Sequence, residues 1–72
     1  MYKVNSPRDF PMGTFITWFS EKNYGQSILA AEQFGKAHPN MVELVCYYEQ
    51  PAFKKSILVA YKRLGIQDDY LG

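Results

Sequence analysis

The sequence predicts an all-α domain, a compact bundle of four short helices. First, the chain has 72 residues, which suits one domain with one hydrophobic core. Second, apolar side chains make up 47% of the residues and recur at helical spacing in four segments. Third, residues that favour helix starts precede three of these segments, and glycine or proline ends three of them.

The first helix is predicted over residues 14–22. Thr14 can cap its start, because a threonine hydroxyl accepts a hydrogen bond from a first-turn N–H group. Phe15, Trp18 and Phe19 follow at positions i, i+3 and i+4, which places them on one face of a helix. Trp18 is therefore predicted to anchor the core.

The second helix is predicted over residues 26–37. Its alanines and Phe34 share one side, where small residues let another helix approach closely. Glu32 and Lys36 lie on the other side at i and i+4, in the favourable order. Pro39 disfavours helical backbone at the residue before it, so the helix should end there.

The third and fourth helices are predicted over residues 41–49 and 52–64. Asn40 and Glu43 have the spacing of a capping box, and Pro51 suits a first helical turn. The third helix has apolar residues at i, i+3, i+4 and i+7: Met41, Leu44, Val45 and Tyr48. The fourth has them at i, i+4, i+7, i+8 and i+11: Phe53, Ile57, Ala60, Tyr61 and Leu64.

An α+β arrangement is the alternative. In it, Thr14–Ser20 and two later segments form an antiparallel sheet under the 26–37 helix. Two sets of residues alternate as in strands: Val42, Leu44, Cys46 and Tyr48, then Ile57, Val59 and Tyr61. Apolar residues also occupy the positions between them, however, and the connection lacks an Asn-Gly or Asp-Gly pair. The helical arrangement is therefore preferred.

Three regions are predicted along the chain. Residues 1–13 form an extended N-terminal arm, residues 14–66 a single helical domain, and residues 67–72 an acidic tail. The arm can pack back onto the domain through Tyr2 and Val4, or through Phe10. The predicted core consists of Phe15, Trp18, Phe19, Phe34, Leu44, Val45, Tyr48, Phe53, Ile57 and Leu64.

Short landmarks in this order resemble those of the YozE-like family of small bacterial proteins, which have a SAM-like helical fold. They are residues 12–19 (MGTFITWF), 27–31 (SILAA), 38–39 (HP) and 43–49 (ELVCYYE). The resemblance implies a helical fold, no known enzymatic activity and a bacterial or bacteriophage origin. It leaves the function open, because a fold does not imply a function.

No catalytic, metal or cofactor site is predicted. His38 and Cys46 are the only histidine and the only cysteine, and a zinc site needs three or four protein ligands. No glycine-rich phosphate loop is present, and no small-molecule substrate is expected. A single cysteine forms no internal disulfide, which fits a reducing cytoplasm. No apolar run is long enough for a signal peptide or a membrane span, so we expect a soluble cytoplasmic protein without a membrane partner.

The segment from Pro51 to Gly65 carries the candidate partner-binding residues. It has four basic residues and no acidic one. On a helix, its three lysines fall within a sector of roughly 100°, largely opposite the apolar face. Two aliphatic residues lie among the bases. The predicted partner-binding set is Lys54, Lys55, Leu58, Val59, Lys62 and Arg63.

Three interpretations of this basic and apolar face stay open. In the first, the N-terminal arm covers Leu58 and Val59, and the lysines only keep the protein soluble. Alternatively, an acidic and apolar protein docks there, with the two aliphatic residues as anchors. Thirdly, the lysines bind nucleic-acid phosphates without reading sequence. We predict a small non-enzymatic protein-binding module, with sequence-independent nucleic-acid binding as the alternative.

Overall fold

One helix packs on one face of a four-stranded mixed sheet in the computed structural model, which describes residues 1–64. The strand order is β1-β3-β4-β2, with β1 parallel to β3 and the other pairs antiparallel. A 3₁₀ turn at Pro7–Asp9 follows β1. The elements are β1 (Tyr2–Lys3), β2 (Thr14–Ser20), α1 (Tyr24–Ala37), β3 (Val42–Glu49) and β4 (Ser56–Arg63).

The predicted all-α bundle of four helices, and with it the SAM-like helical description, is wrong. Residues predicted as the first, third and fourth helices form β2, β3 and β4. The second predicted helix, residues 26–37, is confirmed as most of α1. The protein has the α+β arrangement that was the alternative, with the predicted Thr14–Ser20 strand and a fourth, short parallel strand added.

The central strand β4 explains why strand alternation was hard to recognise. Ile57, Val59 and Tyr61 face α1 and are fully buried. On the opposite face, Ala60 is also fully buried, because N-terminal residues cover it. A strand with both faces covered reads as a continuous apolar run rather than as alternating polar and apolar residues.

The strand β3 contains an irregularity that breaks its alternation. Leu44 pairs with Tyr61 and Cys46 pairs with Ala60, so Val45 is an extra residue without its own partner in the register. A β-bulge of this kind shifts the phase of the side chains that follow it. The shift places apolar residues at spacings that also fit a helix.

The helix α1 starts and ends where local chemistry permits. The side-chain oxygen of Asn23 accepts a hydrogen bond of 2.9 Å from the Gln26 N–H, which caps the first turn. His38 is the last cap residue, directly before Pro39, as the sequence predicts. No helix within residues 1–64 is long and apolar enough to cross a membrane.

The N-terminal residues cover part of the helix-free face of the sheet, the face opposite α1. Val4 and Phe10 pack there against Cys46 and Ala60, and the Val4 N–H donates a 2.8 Å hydrogen bond to the Tyr47 carbonyl. Of the residues that the sequence offers for packing back onto the domain, Val4 and Phe10 do so, whereas Tyr2 is exposed. The predicted acidic tail, residues 67–72, lies outside the described residues.

Candidate functional site

The predicted partner-binding residues do not share one surface, because they do not belong to a helix. Lys54 and Lys55 lie in the connection between β3 and β4, and both are exposed. Within β4, Leu58 and Lys62 point to the helix-free face, as their alternation with the buried α1-facing residues requires. Lys54, Lys55, Leu58 and Lys62 therefore remain candidates for one surface.

Val59 and Arg63 lie on the other side of the sheet. Val59 is fully buried in the core under α1, so it is inaccessible to a partner. The Arg63 guanidinium lies 4.8 Å from the centre of the Phe15 ring, a cation–π distance. Strand geometry therefore separates these two residues from the lysines, with which they would share a face on a helix.

A patch of large apolar side chains occupies the helix-free face beyond the N-terminal residues. Trp18 pairs with Leu58, and Leu58 pairs with Tyr48, so the three side chains cross β2, β4 and β3 in a row. Ile16 lies beside Trp18 along β2, and Phe53 contacts Trp18 from the β3–β4 connection. We call Ile16, Trp18, Tyr48, Phe53 and Leu58 the Trp18 patch.

Two of the three aromatic members of this patch, Trp18 and Phe53, contradict their predicted place in the core. Trp18 is 50% exposed and Phe53 is 57% exposed. Their rings meet edge to face, with centroids 6.3 Å apart and an interplanar angle of 67°. Two large rings held together in water form an apolar surface that a partner can cover.

The connection that carries Phe53 is fixed to the start of α1. The Tyr24 hydroxyl donates to the Gln50 carbonyl, and the Ser27 hydroxyl donates to the Lys55 carbonyl. Ser27 is fully buried and also accepts a 2.8 Å hydrogen bond from the Glu21 N–H. The connection is therefore held at both ends, which keeps Phe53 and its neighbouring lysines in a defined position.

The charges near the patch are unevenly distributed. Residues 50–55 contain Lys54 and Lys55 and no acidic side chain. Lys62, at the other end of β4, lies opposite Glu43 in the β3–β4 register, so an acidic residue accompanies that lysine. The end of the Trp18 patch beside Phe53 therefore carries Lys54 and Lys55, with Glu21 close to Lys55 because both backbones bond to the Ser27 hydroxyl.

The sequence interpretation missed Ile16, Trp18, Tyr48 and Phe53 as surface residues. Helical spacing placed Trp18, Tyr48 and Phe53 inside, whereas strand alternation places Ile16 and Trp18 on the face opposite Phe15 and Phe19. One signal was present in the sequence. Phe53 follows Pro51 and precedes two lysines, which is a turn-like context for an aromatic residue.

Cys46 and His38 occupy different sides of the sheet. Cys46 is fully buried with Val4 and Ala60, and burial raises the pKa of its thiol, which opposes nucleophilic reactivity. His38 is exposed at the end of α1, with its ring 4.7 Å from that of Phe34. Residues 1–64 contain no group of three or more His, Cys, Asp or Glu side chains placed to hold a metal ion.

Comparison of the chain with protein-family models, with curated proteins and with solved structures found no match. The resemblance to the YozE-like family therefore stays a prediction. The candidate site is defined by its own geometry, which is an aromatic and aliphatic patch on a sheet surface with two lysines at one end.

Proposed function

We propose that the protein is a small non-enzymatic module that binds an acidic and apolar segment of another protein on the Trp18 patch. The observation that carries this proposal is the exposed contact between Trp18 and Phe53. Large aromatic residues at the centre of a patch supply most of the binding energy in protein interfaces. Here both rings are held by secondary structure or by hydrogen bonds of the connection.

The composition of the patch favours a protein partner. Ile16 and Leu58 are aliphatic and offer shape and apolar area rather than a stacking surface. Lys54 and Lys55 follow Phe53 directly in the chain and are exposed, and charged residues around an apolar contact contribute to orientation and association rate. Their charge favours a partner with Asp or Glu beside its apolar side chains. The proposal retains Leu58 and the lysines from the sequence interpretation and replaces Val59 with Trp18 and Phe53 as anchors.

Single-stranded nucleic acid is the second candidate ligand. Aromatic side chains on the open face of a sheet can stack on bases, and Trp18 and Phe53 have this placement beside Lys54 and Lys55. The net charge of +1 supplies little of the phosphate attraction on which such binding depends. We therefore rank this function second.

We place the module in the cytoplasm, where a thiol stays reduced. Cys46 is a free and buried cysteine, and free thiols are typical of reducing compartments. The proposed compartment does not depend on which partner the protein binds.

A peptide-display selection tests the proposed function. Immobilised protein is panned against a random peptide library, and enriched peptides are titrated while Trp18 fluorescence is recorded. Trp18 is the only tryptophan and lies in the site, so binding should shift its emission to shorter wavelength. We expect enriched peptides to combine Asp or Glu with Leu, Phe or Trp.

Two matched variants assign the binding to the patch. Leu58→Asp should weaken peptide binding at least ~10-fold, which corresponds to about 1.4 kcal/mol. Leu29→Asp, on the exposed side of α1, should leave binding unchanged. Peptides whose affinity survives Leu58→Asp would contradict the proposal. Binding of a single-stranded oligonucleotide that falls steeply with salt, without any peptide enrichment, would support the second candidate instead.

A further inference from the structure

The strand β2 has one unpaired side. It forms one edge of the sheet, and β4 pairs with it along all seven residues, from Thr14 with Lys62 to Ser20 with Ser56. In an antiparallel pair, every second residue directs its N–H and C=O groups away from the partner strand. Within residues 1–64, no segment pairs with the outer side of β2.

The two edges of the sheet differ in protection. The opposite edge, β1, is two residues long and contains Lys3, and short edge strands with lysine discourage pairing with other chains. In contrast, β2 reads TFITWFS, with no charge and no proline. An edge strand of this length and composition is a template for another strand.

We propose that a second copy of this chain pairs with β2, antiparallel and centred on Thr17. This register places Phe15 opposite Phe19 of the second copy and Ile16 opposite Trp18 of the second copy. It is the only register that pairs all seven residues of both strands. The contact is isologous, because the Thr17 pair lies on a two-fold axis and every other residue pair occurs twice around it.

The cross-strand pairs are chemically complementary in this register. Ile16 is 49% exposed and Trp18 is 50% exposed, and the pairing brings each against its apolar counterpart. Aromatic and β-branched side chains directly opposite each other stabilise a sheet. No charged residue of β2 opposes another, since the strand has none.

The two-fold axis runs perpendicular to the sheet, so both copies keep the same faces on the same side. The dimer is one continuous sheet of twice the width, with both α1 helices on one face. The two Trp18 patches then adjoin on the other face and remain open, because side chains stand perpendicular to a sheet. This inference is independent of the proposed peptide ligand, and its test uses the protein alone.

Charge substitutions test the dimer by analytical ultracentrifugation. Ile16→Lys with Trp18→Lys in one chain places like charges opposite each other, and so does Ile16→Glu with Trp18→Glu. At protein concentrations where the wild-type chain is a dimer, each variant should be monomeric. Its dimer dissociation constant should be at least ~10-fold higher than that of the wild-type chain. An equimolar mixture of the two variants should restore the dimer, because both substituted cross-strand pairs then join opposite charges.

A matched control separates this effect from net charge. Leu29→Lys with Gln33→Lys adds the same two charges on the exposed side of α1 and should leave the dimer intact. Circular dichroism of each variant shows whether it is folded. A wild-type chain that stays monomeric as its concentration rises overturns the proposal, and so does a dimer that both charged β2 variants retain.

Cross-linking tests the register. A Thr17→Cys chain places two thiols opposite each other at the two-fold axis, within the Cα separation that a disulfide requires. Mild oxidation should convert this variant to a covalent dimer. Ser20→Cys faces Thr14 of the second copy and should not cross-link. Cross-linking of Ser20→Cys in preference to Thr17→Cys overturns the register.

Discussion

The Tyr61 hydroxyl donates a 2.6 Å hydrogen bond to the carbonyl oxygen of Ala31, which joins the central strand β4 to the middle of α1. Tyr61 is fully buried, and its ring contacts those of Phe34 and Phe15, with centroid distances of 5.2 Å and 5.7 Å. One side chain thus connects the helix with two strands. We expect both its ring and its hydroxyl to matter for stability.

Replacing Tyr61 with Phe removes the hydroxyl and leaves the ring. We expect the free energy of unfolding in urea to fall by about 1 kcal/mol, the typical net contribution of one hydrogen bond. Tyr47→Phe is the matched control, because its hydroxyl makes no hydrogen bond within residues 1–64. Equal unfolding free energies for Tyr61→Phe and the wild-type chain would contradict this role.

The protein should lose stability in alkaline solution. Burial raises the pKa of Tyr61 from 10.0 to about 12, so the native state keeps this proton where the unfolded state loses it. The free energy of unfolding should therefore fall as the pH rises from about 10 to about 12. In urea titrations across this pH range, the free energy of unfolding of Tyr61→Phe should fall less steeply than that of the wild-type chain. Parallel pH profiles for the two proteins would show that another group dominates.

Adjacent residues of β4 should respond oppositely to substitution. Val59 is fully buried under α1, and Val59→Ala should cost about 1–3 kcal/mol of unfolding free energy through the lost methyl groups and the cavity. Leu58 is partly exposed on the other face, and Leu58→Ala should cost less. Peptide affinity should show the reverse order, with a larger loss for Leu58→Ala than for Val59→Ala. The comparison needs denaturation and Trp18 fluorescence titrations of the two variants.

Loss of the hydrogen bonds at the β3–β4 connection should weaken peptide binding while the protein stays folded. Tyr24→Phe frees the Gln50 carbonyl, and Ser27→Ala frees the Lys55 carbonyl. Tyr24→Phe should lower the unfolding free energy by about 1 kcal/mol, and Ser27→Ala by about 2 kcal/mol because it also loses the bond from the Glu21 N–H. Amide exchange in residues 50–55 should accelerate in both variants. Peptide affinity should fall because Phe53 is less well positioned. Unchanged exchange in this segment would refute the role assigned to these two bonds.

Trp18 should behave spectroscopically as a surface residue. Because it is half exposed, acrylamide should quench its fluorescence, and unfolding should shift its emission only slightly. Phe53→Ala removes the ring that covers one side and should increase the quenching constant. A native emission maximum typical of a buried indole would contradict the open patch.

The helix was predictable because its signals are local. Pro39 ends it, and its apolar side faces the sheet over one consistent stripe. The N-terminal boundary was less accurate, since Asn23 caps α1 whereas the sequence predicts the end of one helix at residue 22 and the start of the next at residue 26. An asparagine at this position could end one helix or begin the next, and residue type alone does not show which side-chain hydrogen bond it makes.

The strands were missed because their burial is set by distant segments. Residues on both faces of β4 are apolar since α1 covers one face and the N-terminal residues cover much of the other. The bulge at Val45 adds a phase change in β3. Trp18 was assigned to the core on helical spacing, although alternation along β2 places it opposite Phe19. Both apolar faces of β2 carry aromatic rings, so hydrophobicity alone cannot distinguish inside from outside.

The strand order has a consequence for synthesis on the ribosome. The fourth strand of the chain, Ser56–Arg63, lies between β2 and β3, and among the described strands β2 has no other partner. Before those residues emerge, the nascent chain can form only α1 and the short contact between β1 and β3. The strand β2 can therefore join the sheet only when residues 56–63 are available, and its pairing with β4 joins residues far apart in sequence, a feature of topologies that fold slowly.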